Sequence, residues 1–461
     1  MSQFTGTLAD FEASIKDMRE YLANNTQARP LHEVEAELFA LALATGREAL
    51  AAYVAQVGTG DVGPVHVDVE GRRRKRHGHP QSLTYRSIFG PISIMRTYYY
   101  HRLHGGYFPL DEQFSLPERS YSYLLQKWAM RFAVEDPYGE GADDLAMLLG
   151  VQIPKRAIEE MVVETAPYVA PFRAQLAPPA AEGTVLVIEA DGKGVRMVRP
   201  KTDEPGPKMR LTKGQKRNKK KMATVFTVYT MNPVEGCLPE PIARKVYAFM
   251  GTKREAFKAF AAEAMKRGYG RLKTLFLSDG DPDLATLQAE FFLEAEPCVD
   301  WIHVVGYLWS AAYVFHPEGS PEARAWVKER EGRLMANDVS TVIRGLKQSL
   351  TKGKKRLKPS HKETLSTVIG FLQGVRDRIP YQEWYAAGYP IGTGSVEGAC
   401  RHLVEDRMDR AGMKWKESGA QAILDIRCVL ENGEMDEFTK FRIKREHERL
   451  YGRKLSEGLA A

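Results

Sequence analysis

Cysteine is scarce in this chain of 461 residues, which has only four. Cys237, Cys298, Cys400 and Cys428 stand far apart, and no two of them form a Cys-x-x-Cys spacing. This pattern excludes a disulfide framework and the standard cysteine zinc modules. It also indicates a reducing compartment, so we expect a cytoplasmic protein.

Long apolar runs are missing as well. The N-terminal residues have neither a basic head nor a continuous apolar stretch. The longest apolar run nearby, residues 38–44, falls far short of the roughly 20 residues that a membrane helix needs. We therefore expect neither secretion nor insertion into a membrane.

Neither sign of charge is in large excess, because 66 basic residues against 59 acidic ones leave a net charge of +7. The basic residues are nevertheless concentrated in three stripes. Residues 72–76, 208–221 and 352–362 carry +5, +8 and +6, so the rest of the chain is net acidic. A mildly acidic globular body with basic stripes is typical of a protein that binds a polyanion such as nucleic acid.

The order of hydrophobic patterns predicts a multidomain α/β protein. Apolar residues at three- and four-residue intervals predict N-terminal helices, β-branched and aromatic runs follow, and two helical patterns separated by Gly150 then have the order of a helix-turn-helix. The predicted segments are a helical arm at 1–60, a small β unit at 61–120, a helix-turn-helix-like region at 121–178, an α/β core at 180–305 and 389–430, a helical insertion at 306–388, and a helical tail at 431–461.

Several basic features allow alternative interpretations. A hairpin predicted at 84–100 carries three consecutive tyrosines, so it either lies along a nucleic-acid backbone or is an aromatic-packed hairpin beside a solvated arginine loop. The helix that starts near residue 155 either reads DNA or only packs against its neighbour. The stripe at 208–221 has no acidic residue, which favours a mobile loop that orders on phosphate over a solvated hairpin loop. The side chains that we expect to contact nucleic acid are Arg72, Arg73, Arg74, Lys155, Arg156, Lys219, Lys220, Lys221, Lys354, Lys355 and Arg356.

Two buried strand patterns each end in an aspartate. Residues 184–190 form a nearly continuous β-branched and aliphatic run that leads into Asp191, and the apolar run 274–277 leads to Asp279. A third strand-like run and an amphipathic helix lie between them. This order can set two parallel strands side by side, with their terminal carboxylates adjacent.

Other carboxylates have simpler explanations when each is taken alone. Asp281 precedes a proline and a helical pattern, which predicts a helix N-cap. Glu189 shares a strand face with Asp191 and is either an accessory acid or a paired one. Glu397 is a first-turn carboxylate of a helix that Ser395 would cap. Taken together, however, two strand-end aspartates and a helical glutamate are the hard oxygen ligands that two-metal phosphoryl transfer needs.

Several motifs occur along the chain in a recognisable order. They are Phe-Pro-Leu-Asp at 108–111 after the hairpin at 84–100, Asp-Gly-Lys-Gly-Val at 191–195, Ser-Asp-Gly-Asp at 278–281, Asp-Trp-Ile-His at 300–303, Tyr-Leu-Trp at 307–309, and Ile-Gly-Thr-Gly-Ser-Val-Glu-Gly-Ala-Cys-Arg at 391–401. Over most of the chain, this series resembles the DDE transposases of the ISKra family of bacterial insertion sequences. One departure is Gly306, which stands before Tyr-Leu-Trp where an acidic residue is expected.

The resemblance implies an RNase H-like catalytic core interrupted by an all-helical insertion. It implies that Asp191, Asp279 and Glu397 form a catalytic triad that binds two Mg²⁺ or Mn²⁺ ions. Asp300 and His303 match an Asp-x-x-His signature, which implies an accessory role, whereas the sequence around His303 taken alone favours a packed core histidine. The expected reaction is metal-dependent cleavage of a DNA strand at the element's ends, followed by strand transfer.

Two other functions are compatible with the same residues. An RNase H-like nuclease would cut DNA without joining it, and an inactive derivative would only bind DNA. The intact triad argues against the inactive derivative. Because a transposase holds two DNA ends together, we expect a homodimer or a higher oligomer that is associated with the nucleoid.

Overall fold

The computed structural model of the protein describes residues 6–68, 70–198, 220–235, 237, 240–352, 357–410 and 412–452. Helices and strands both occur along the chain, so the fold is mixed α/β. The chain divides into two compact units. The first unit comprises Met1–Phe172 and Glu434–Ala461, and the second unit comprises Arg173–Gly433.

The first unit begins with two helices, α1 (Leu8–Asn24) and α2 (Leu31–Val57). The Thr7 side chain caps α1 by accepting a hydrogen bond from the Asp10 N–H. By length and composition, α2 is long and apolar enough to cross a membrane, and only 17% of its most apolar window is buried. Charged residues interrupt α2, so a search for continuous apolar runs passes over it. Core helices of soluble proteins meet the same criterion.

Six short strands follow in two sheets. They are β1 (Val65–Val67), β2 (Arg73–Arg76), β3 (Gln81–Ser87), β4 (Gly90–Arg96), β5 (Tyr99–His101) and β6 (Gly105–Tyr107). One sheet has the order β1-β2-β5-β6, and the other is the hairpin β3-β4. Tyr99 is fully buried, and its hydroxyl accepts from the Val62 N–H and lies 2.8 Å from the Gly63 carbonyl oxygen. The burial of Tyr99 favours aromatic packing, whereas Tyr100 is exposed.

Two details of the predicted β unit are wrong. The hairpin ends at Arg96, so the tyrosines that the sequence assigns to it lie outside it, and Tyr99 and Tyr100 belong to the other sheet. The arginines at Arg73–Arg76 form strand β2 and not a loop.

Short helices complete this part of the chain. They are α3 (Pro109–Gln113), α4 (Tyr123–Glu135), α5 (Tyr138–Leu149), α6 (Lys155–Thr165) and α7 (Val169–Gln175). Gly150 ends α5 in the left-handed region, at φ 65°, where glycine carries no steric penalty. The α5-turn-α6 arrangement therefore has the element order predicted for a helix-turn-helix.

A five-stranded mixed sheet forms the centre of the second unit. Its strands are β7 (Val185–Arg196), β8 (Lys220–Met231), β9 (Ile242–Phe249), β10 (Lys273–Ser278) and β11 (Glu296–Val299), in the spatial order β11-β10-β7-β8-β9. Strand β8 is antiparallel to β7 and β9, whereas β10 is parallel to β7 and β11. The sequence patterns predict β7, β8 and β10 and miss the other two strands.

Alternation along β7 divides the core into two layers. Leu186 and Ile188 belong to a cluster with helices α8 (Lys253–Lys266) and α9 (Pro282–Phe291), whereas Val185 and Val187 belong to a cluster with the helices that follow β11. Because successive side chains of a strand point to opposite faces, Glu189 and Asp191 continue the second series.

Apart from connecting loops and one isolated β-bridge at Trp415, the described chain after β11 consists of helices. Its helices are α10 (Trp301–Phe315), α11 (Pro321–Met335), α12 (Val339–Lys352), α13 (Pro359–Val375), α14 (Tyr381–Ala386), α15 (Gly394–Ala399), α16 (Asp406–Met408) and α17 (Glu417–Glu431), with a π-helical turn at Cys400–Glu405. Leu308, Leu346 and Leu372 from these helices share one core with Val187 and Leu275 of the sheet. The predicted helical insertion therefore packs directly on the sheet.

The C-terminal helix α18 (Met435–Tyr451) belongs to the first unit. Phe438 is fully buried and contacts Phe172, with ring centroids 5.4 Å apart. The buried Arg442 donates a hydrogen bond of 2.6 Å to Gln126. The helical tail predicted at 431–461 is thus part of a core built by the N-terminal segments.

Candidate active site

Two aspartates lie side by side on neighbouring parallel strands. Ser278 of β10 pairs with Ala190 of β7, so the next residues along the two chains are Asp279 and Asp191. Both aspartates follow the series of side chains that face α10, and both are partly buried. The structure therefore brings together the two carboxylates that the sequence singles out. Asp279 directly follows the end of β10, as predicted, but the expectation that Asp191 ends its strand is wrong, because β7 continues in register with β8 to Arg196.

Helix α15 carries Glu397, and two buried carboxylates hold its first turn. Glu189 Oε2 accepts a hydrogen bond of 2.7 Å from the Val396 N–H. Asp300 Oδ1 accepts another of 2.7 Å from the Thr393 N–H. The first N–H groups of a helix have no partner within it, so carboxylates from β7 and from the start of α10 satisfy them here. Both bonds fix the turn that presents Glu397.

The expectation that Ser395 caps this helix is wrong. The helix begins at Gly394 with Thr393 at the N-cap, and Ser395 lies inside the first turn. The Ser395 hydroxyl is buried without a hydrogen-bond partner among the described residues. A local cap is unnecessary because the carboxylates of distant elements already accept from the helix N-terminus.

Glu189 is almost fully buried, with 1% of its surface exposed. Besides the Val396 N–H, it accepts from the Tyr229 hydroxyl at 2.9 Å and from the Thr227 hydroxyl at 3.3 Å. Burial raises the pKa of Glu189 to about 7. Of the two interpretations of this residue, the contacts favour a paired acid that joins β7, β8 and α15.

Asp300 and His303 form a pair beside Glu397. Asp300 is the N-cap of α10, where its Oδ2 accepts from the His303 N–H at 2.7 Å and lies 2.8 Å from His303 Nδ1. The same ring nitrogen lies 3.7 Å from Glu397 Oε1. The His303 side chain is 38% exposed, so it is not packed in the core.

Asp300, His303 and Glu397 also form a group whose potential metal-ligating atoms lie within 4.8 Å of one another. Both oxygens of Asp300 already accept hydrogen bonds, however, and His303 Nδ1 is bonded to Asp300. These bonds leave Asp300 little capacity to coordinate an ion. The hydrogen bonds and the proximity of His303 to Glu397 make the pair a support for Glu397.

The electrostatics of the site reflect several acids in one place. Burial raises the pKa of Asp279, and the charge of Asp191 raises it further. Burial also raises the pKa of Glu397, with added effects from Asp300 and Asp191. The hydrogen bond to Asp300 raises the pKa of His303. Carboxylates whose pKa values are raised by burial and by neighbouring acids are stabilised by a cation placed among them.

Residues around Asp191 complete the site. The Cys400 thiol, one turn after Glu397, donates to Asp191 Oδ2 at 3.4 Å, and burial raises its pKa, which favours the protonated donor. Lys193, two residues beyond Asp191 on the same strand face, forms an ion pair with Glu405 at 2.7 Å. The sequence analysis did not predict Lys193 as a site residue, although its two-residue spacing from Asp191 places both side chains on the same face of a strand.

Two further predictions concern neighbouring positions. Asp281 is the N-cap of α9, as predicted, and its Oδ1 accepts from the Asp283 N–H at 2.7 Å. Its other oxygen pairs with Lys253. Gly306 lies on an exposed part of α10, and a Cβ there would meet nothing within 4 Å. The position that departs from the resembled family thus has room for an acidic side chain.

The arginines of the first basic stripe have different surroundings. Arg74 is 6% exposed and pairs with Asp68 at 2.8 Å, and Arg72 pairs with the same carboxylate at 2.6 Å. Arg73 is exposed and makes no ion pair with any residue that the structure describes. Of the three arginines expected to contact nucleic acid, Arg73 is therefore the most available.

Lys155 and Arg156 lie at the start of α6, where the sequence places them. Both are exposed, and Arg156 forms an i,i+4 pair with Glu160 at 2.9 Å. Pairs of this kind contribute only a few tenths of a kcal/mol, about 0.3–0.5, so Arg156 remains available to another anion.

The second basic stripe differs in part from the expectation. Lys220 and Lys221 lie in strand β8 and not in a mobile loop, because both extend the pairing of β8 with β7. Lys220 pairs with Asp409 at 3.0 Å, and Lys221 pairs with Glu417 at 2.5 Å. The other predicted contacts of the second and third stripes, at Lys219, Lys354, Lys355 and Arg356, lie outside the described residues.

Comparison with known proteins gives one match. The chain matches the model of an uncharacterised protein family, UPF0236, over residues 25–232. This match covers less than half of the chain and contains Asp191, but it ends before Asp279 and Glu397. No curated protein matches the chain. The similarity therefore assigns no activity, and the function has to be argued from the site.

Proposed function

We propose that the protein is a DNA transposase that binds the ends of an insertion sequence and cleaves and transfers DNA strands with a DDE triad. The observation that carries this proposal is the placement of Asp191 in β7 and of Asp279 directly after the adjacent parallel strand β10. Glu397 lies on helix α15, which Glu189 of β7 anchors through the Val396 N–H. The sheet order supports an RNase H-like core, in which three antiparallel strands are followed by two that run parallel to the first.

The residues of the site fit divalent cations. Asp191, Asp279 and Glu397 offer carboxylate oxygens, which are the ligands that Mg²⁺ and Mn²⁺ prefer. Burial and neighbouring acids raise the pKa values of Asp279 and Glu397 and outweigh the opposing effect of His303, so an added cation would stabilise their charged forms. We propose that these three residues hold two Mg²⁺ or Mn²⁺ ions. Bound cations would activate a hydroxyl and stabilise the charge of the phosphoryl group.

The surrounding residues position this triad. Glu189 and Asp300 fix the turn that carries Glu397, and the Cys400 thiol orients one oxygen of Asp191. The Lys193 ammonium lies close enough to Asp191 to interact with it electrostatically, so it offers a positive charge to a phosphate that approaches the acids. No covalent bond between protein and DNA is required.

The same proposal includes the partners. A transposase must hold two DNA ends together, so we propose that the protein acts on DNA as a homodimer or a higher oligomer, in the cytoplasm and at the nucleoid. The exposed Arg73, Lys155 and Arg156 of the first unit are the described side chains that we propose for contacts with the ends.

The test is a cleavage and joining assay with full-length protein. Labelled duplexes carry the DNA that flanks the gene on each side, and a plasmid serves as target in Mg²⁺ or Mn²⁺ buffer. We expect nicked ends and strand-transfer products, and we expect Asp191→Asn, Asp279→Asn and Glu397→Gln each to abolish both while binding to DNA is retained.

The other outcomes separate the competing functions. Cleavage without joined products would favour a nuclease, and binding without cleavage by the unaltered protein would favour an inactive DNA-binding derivative. Asp281→Asn is the matched control, because it changes a nearby aspartate that caps a helix and should retain cleavage. Retained cleavage in any triad variant would remove that residue from the triad.

A further inference from the structure

Helix α12 has a cationic surface that the site above does not use. This helix, VSTVIRGLKQSLTK, contains no aspartate or glutamate. One face is buried through Val339, Val342, Ile343 and Leu346. The opposite face is exposed and carries Arg344, Lys347 and Lys352. The helix is therefore strongly amphipathic, with only basic charges on its outer side.

An open groove of about 690 Å³ runs along this cationic face, between α12 and the end of α13. Its charged lining residues are Arg344, Lys347, Lys352 and Arg376, and its other lining residues are uncharged. Two glutamines, Gln348 and Gln373, add amide donors. The groove thus combines four positive charges with hydrogen-bond donors, and no carboxylate is among its lining residues. Arg376 pairs with the adjacent Asp377 at 3.3 Å, so the charges of α12 carry the argument.

These cations differ from two arginines of the neighbouring helix α11, which pair with an acid. On α11, Arg330 pairs with Glu329 at 2.8 Å, and Arg333 pairs with the same glutamate. On α12, neither Arg344 nor Lys347 forms an ion pair within the part of the chain that the structure describes, and Arg344 donates only to the Thr341 hydroxyl at 2.9 Å. Positive charges without acidic neighbours are free to bind an external anion.

We propose that the α12–α13 groove binds the phosphodiester backbone of DNA without regard to base sequence. The cations are spread along the helix, with about 12 Å of axial rise between Arg344 and Lys352, and do not converge on one point as they would for a small anion. A duplex carries about one charge per 1.7 Å of its axis, so several phosphates fall within this length. The inference rests on the proposed function in naming DNA as the polyanion.

The experiment measures DNA binding as a function of salt concentration. Arg344→Gln/Lys347→Gln removes two groove charges, and Arg324→Gln/Lys328→Gln removes the same two residue types from exposed positions of α11. Both pairs are introduced into full-length Asp279→Asn protein, so that cleavage does not disturb the equilibrium. Two lost phosphate contacts should lower the log–log salt slope by up to roughly 1.8 and weaken binding about equally for end and scrambled duplexes.

The α11 pair should leave the slope and the affinity close to those of the parent. An unchanged slope in the groove variant, or the same loss in both variants, would overturn the proposal. A second titration uses vesicles of phosphatidylserine and phosphatidylcholine, and a loss confined to vesicles would assign the groove to a lipid surface instead. Cleavage that persists in Asp279→Asn alone would count against the proposed triad and would leave the groove result standing.

Discussion

Replacing Glu189 should test whether this residue supports the turn that carries Glu397 without taking part in the reaction itself. Glu189→Ala removes the acceptor for three buried donors, which are the Val396 N–H and the hydroxyls of Tyr229 and Thr227. A buried donor left without an acceptor costs about 1–3 kcal/mol, so the three together should lower the free energy of unfolding by about 3 kcal/mol or more. Glu189→Gln keeps the size and an acceptor oxygen and should cost about 1 kcal/mol or less.

The raised pKa of Glu189 also predicts the direction in which stability changes with pH. Burial raises the pKa of Glu189 from an ordinary 4.5 to about 7, so between these values the folded protein holds a proton that the unfolded chain has released. Stability contributed by this group is therefore present below about pH 4.5 and is lost as pH rises through about 7, by roughly 3 kcal/mol. Glu189→Gln lacks this loss.

The assay is thermal unfolding of the full-length protein in EDTA at several pH values, followed by cleavage measured well below the transition. Since 1 kcal/mol shifts a Tm by about 2–4 °C in a unit of this size, Glu189→Ala should melt at least about 6 °C lower. It should also cleave poorly, because the turn that bears Glu397 is released. Equal melting temperatures for all three proteins at every pH would refute the reasoning.

Three further predictions concern other residues. Lys193→Met should slow cleavage and weaken DNA binding. Glu405→Gln should leave both unchanged or improve them, because it frees the Lys193 ammonium, and equal losses of cleavage and binding in the two variants would make the ion pair merely structural. Asp281→Asn should change the Tm by no more than about 2–4 °C, because asparagine also caps a helix. Lys155→Gln/Arg156→Gln should reduce the preference of full-length protein for end over scrambled DNA in footprinting, and an unchanged preference would place sequence recognition elsewhere.

Much of the second unit could be predicted from sequence because its strands are buried and continuous. The runs before Asp191 and Asp279 consist mainly of the β-branched and aliphatic residues that a central strand needs, and their register places the two acids together. Strand β9 is harder, because Arg244 and Lys245 interrupt its apolar pattern. Strand β11 has four residues and contains a proline, so its pattern is too short to detect.

The supports of the site are harder to predict than its acids. Glu189 contacts Val396 from more than 200 positions away in the sequence, and Asp300 contacts Thr393 from 93 positions away. Such contacts depend on tertiary packing, and no local pattern encodes them. The same holds for Ser395, which resembles an N-cap in sequence but lies inside α15.

The sequence also predicts the C-terminal helix α18 without indicating the unit to which it belongs. Its amphipathic pattern predicts a helix, but only the structure shows that Phe438 and Arg442 are buried within the first unit. A fragment ending at residue 178 would therefore lack part of the core of that unit. For this reason, recognition of DNA ends is best tested with full-length variants.

The central claim is that Asp191, Asp279 and Glu397 hold the catalytic cations, and titration of Mn²⁺ into full-length protein, followed by electron paramagnetic resonance, tests it most directly. We expect the unaltered protein and Asp281→Asn to bind Mn²⁺ alike, and Asp191→Asn and Asp279→Asn to lose that binding. Undiminished binding in both of these variants, with loss only in Asp300→Asn or His303→Ala, would contradict the claim and move the metal to the Asp300 group.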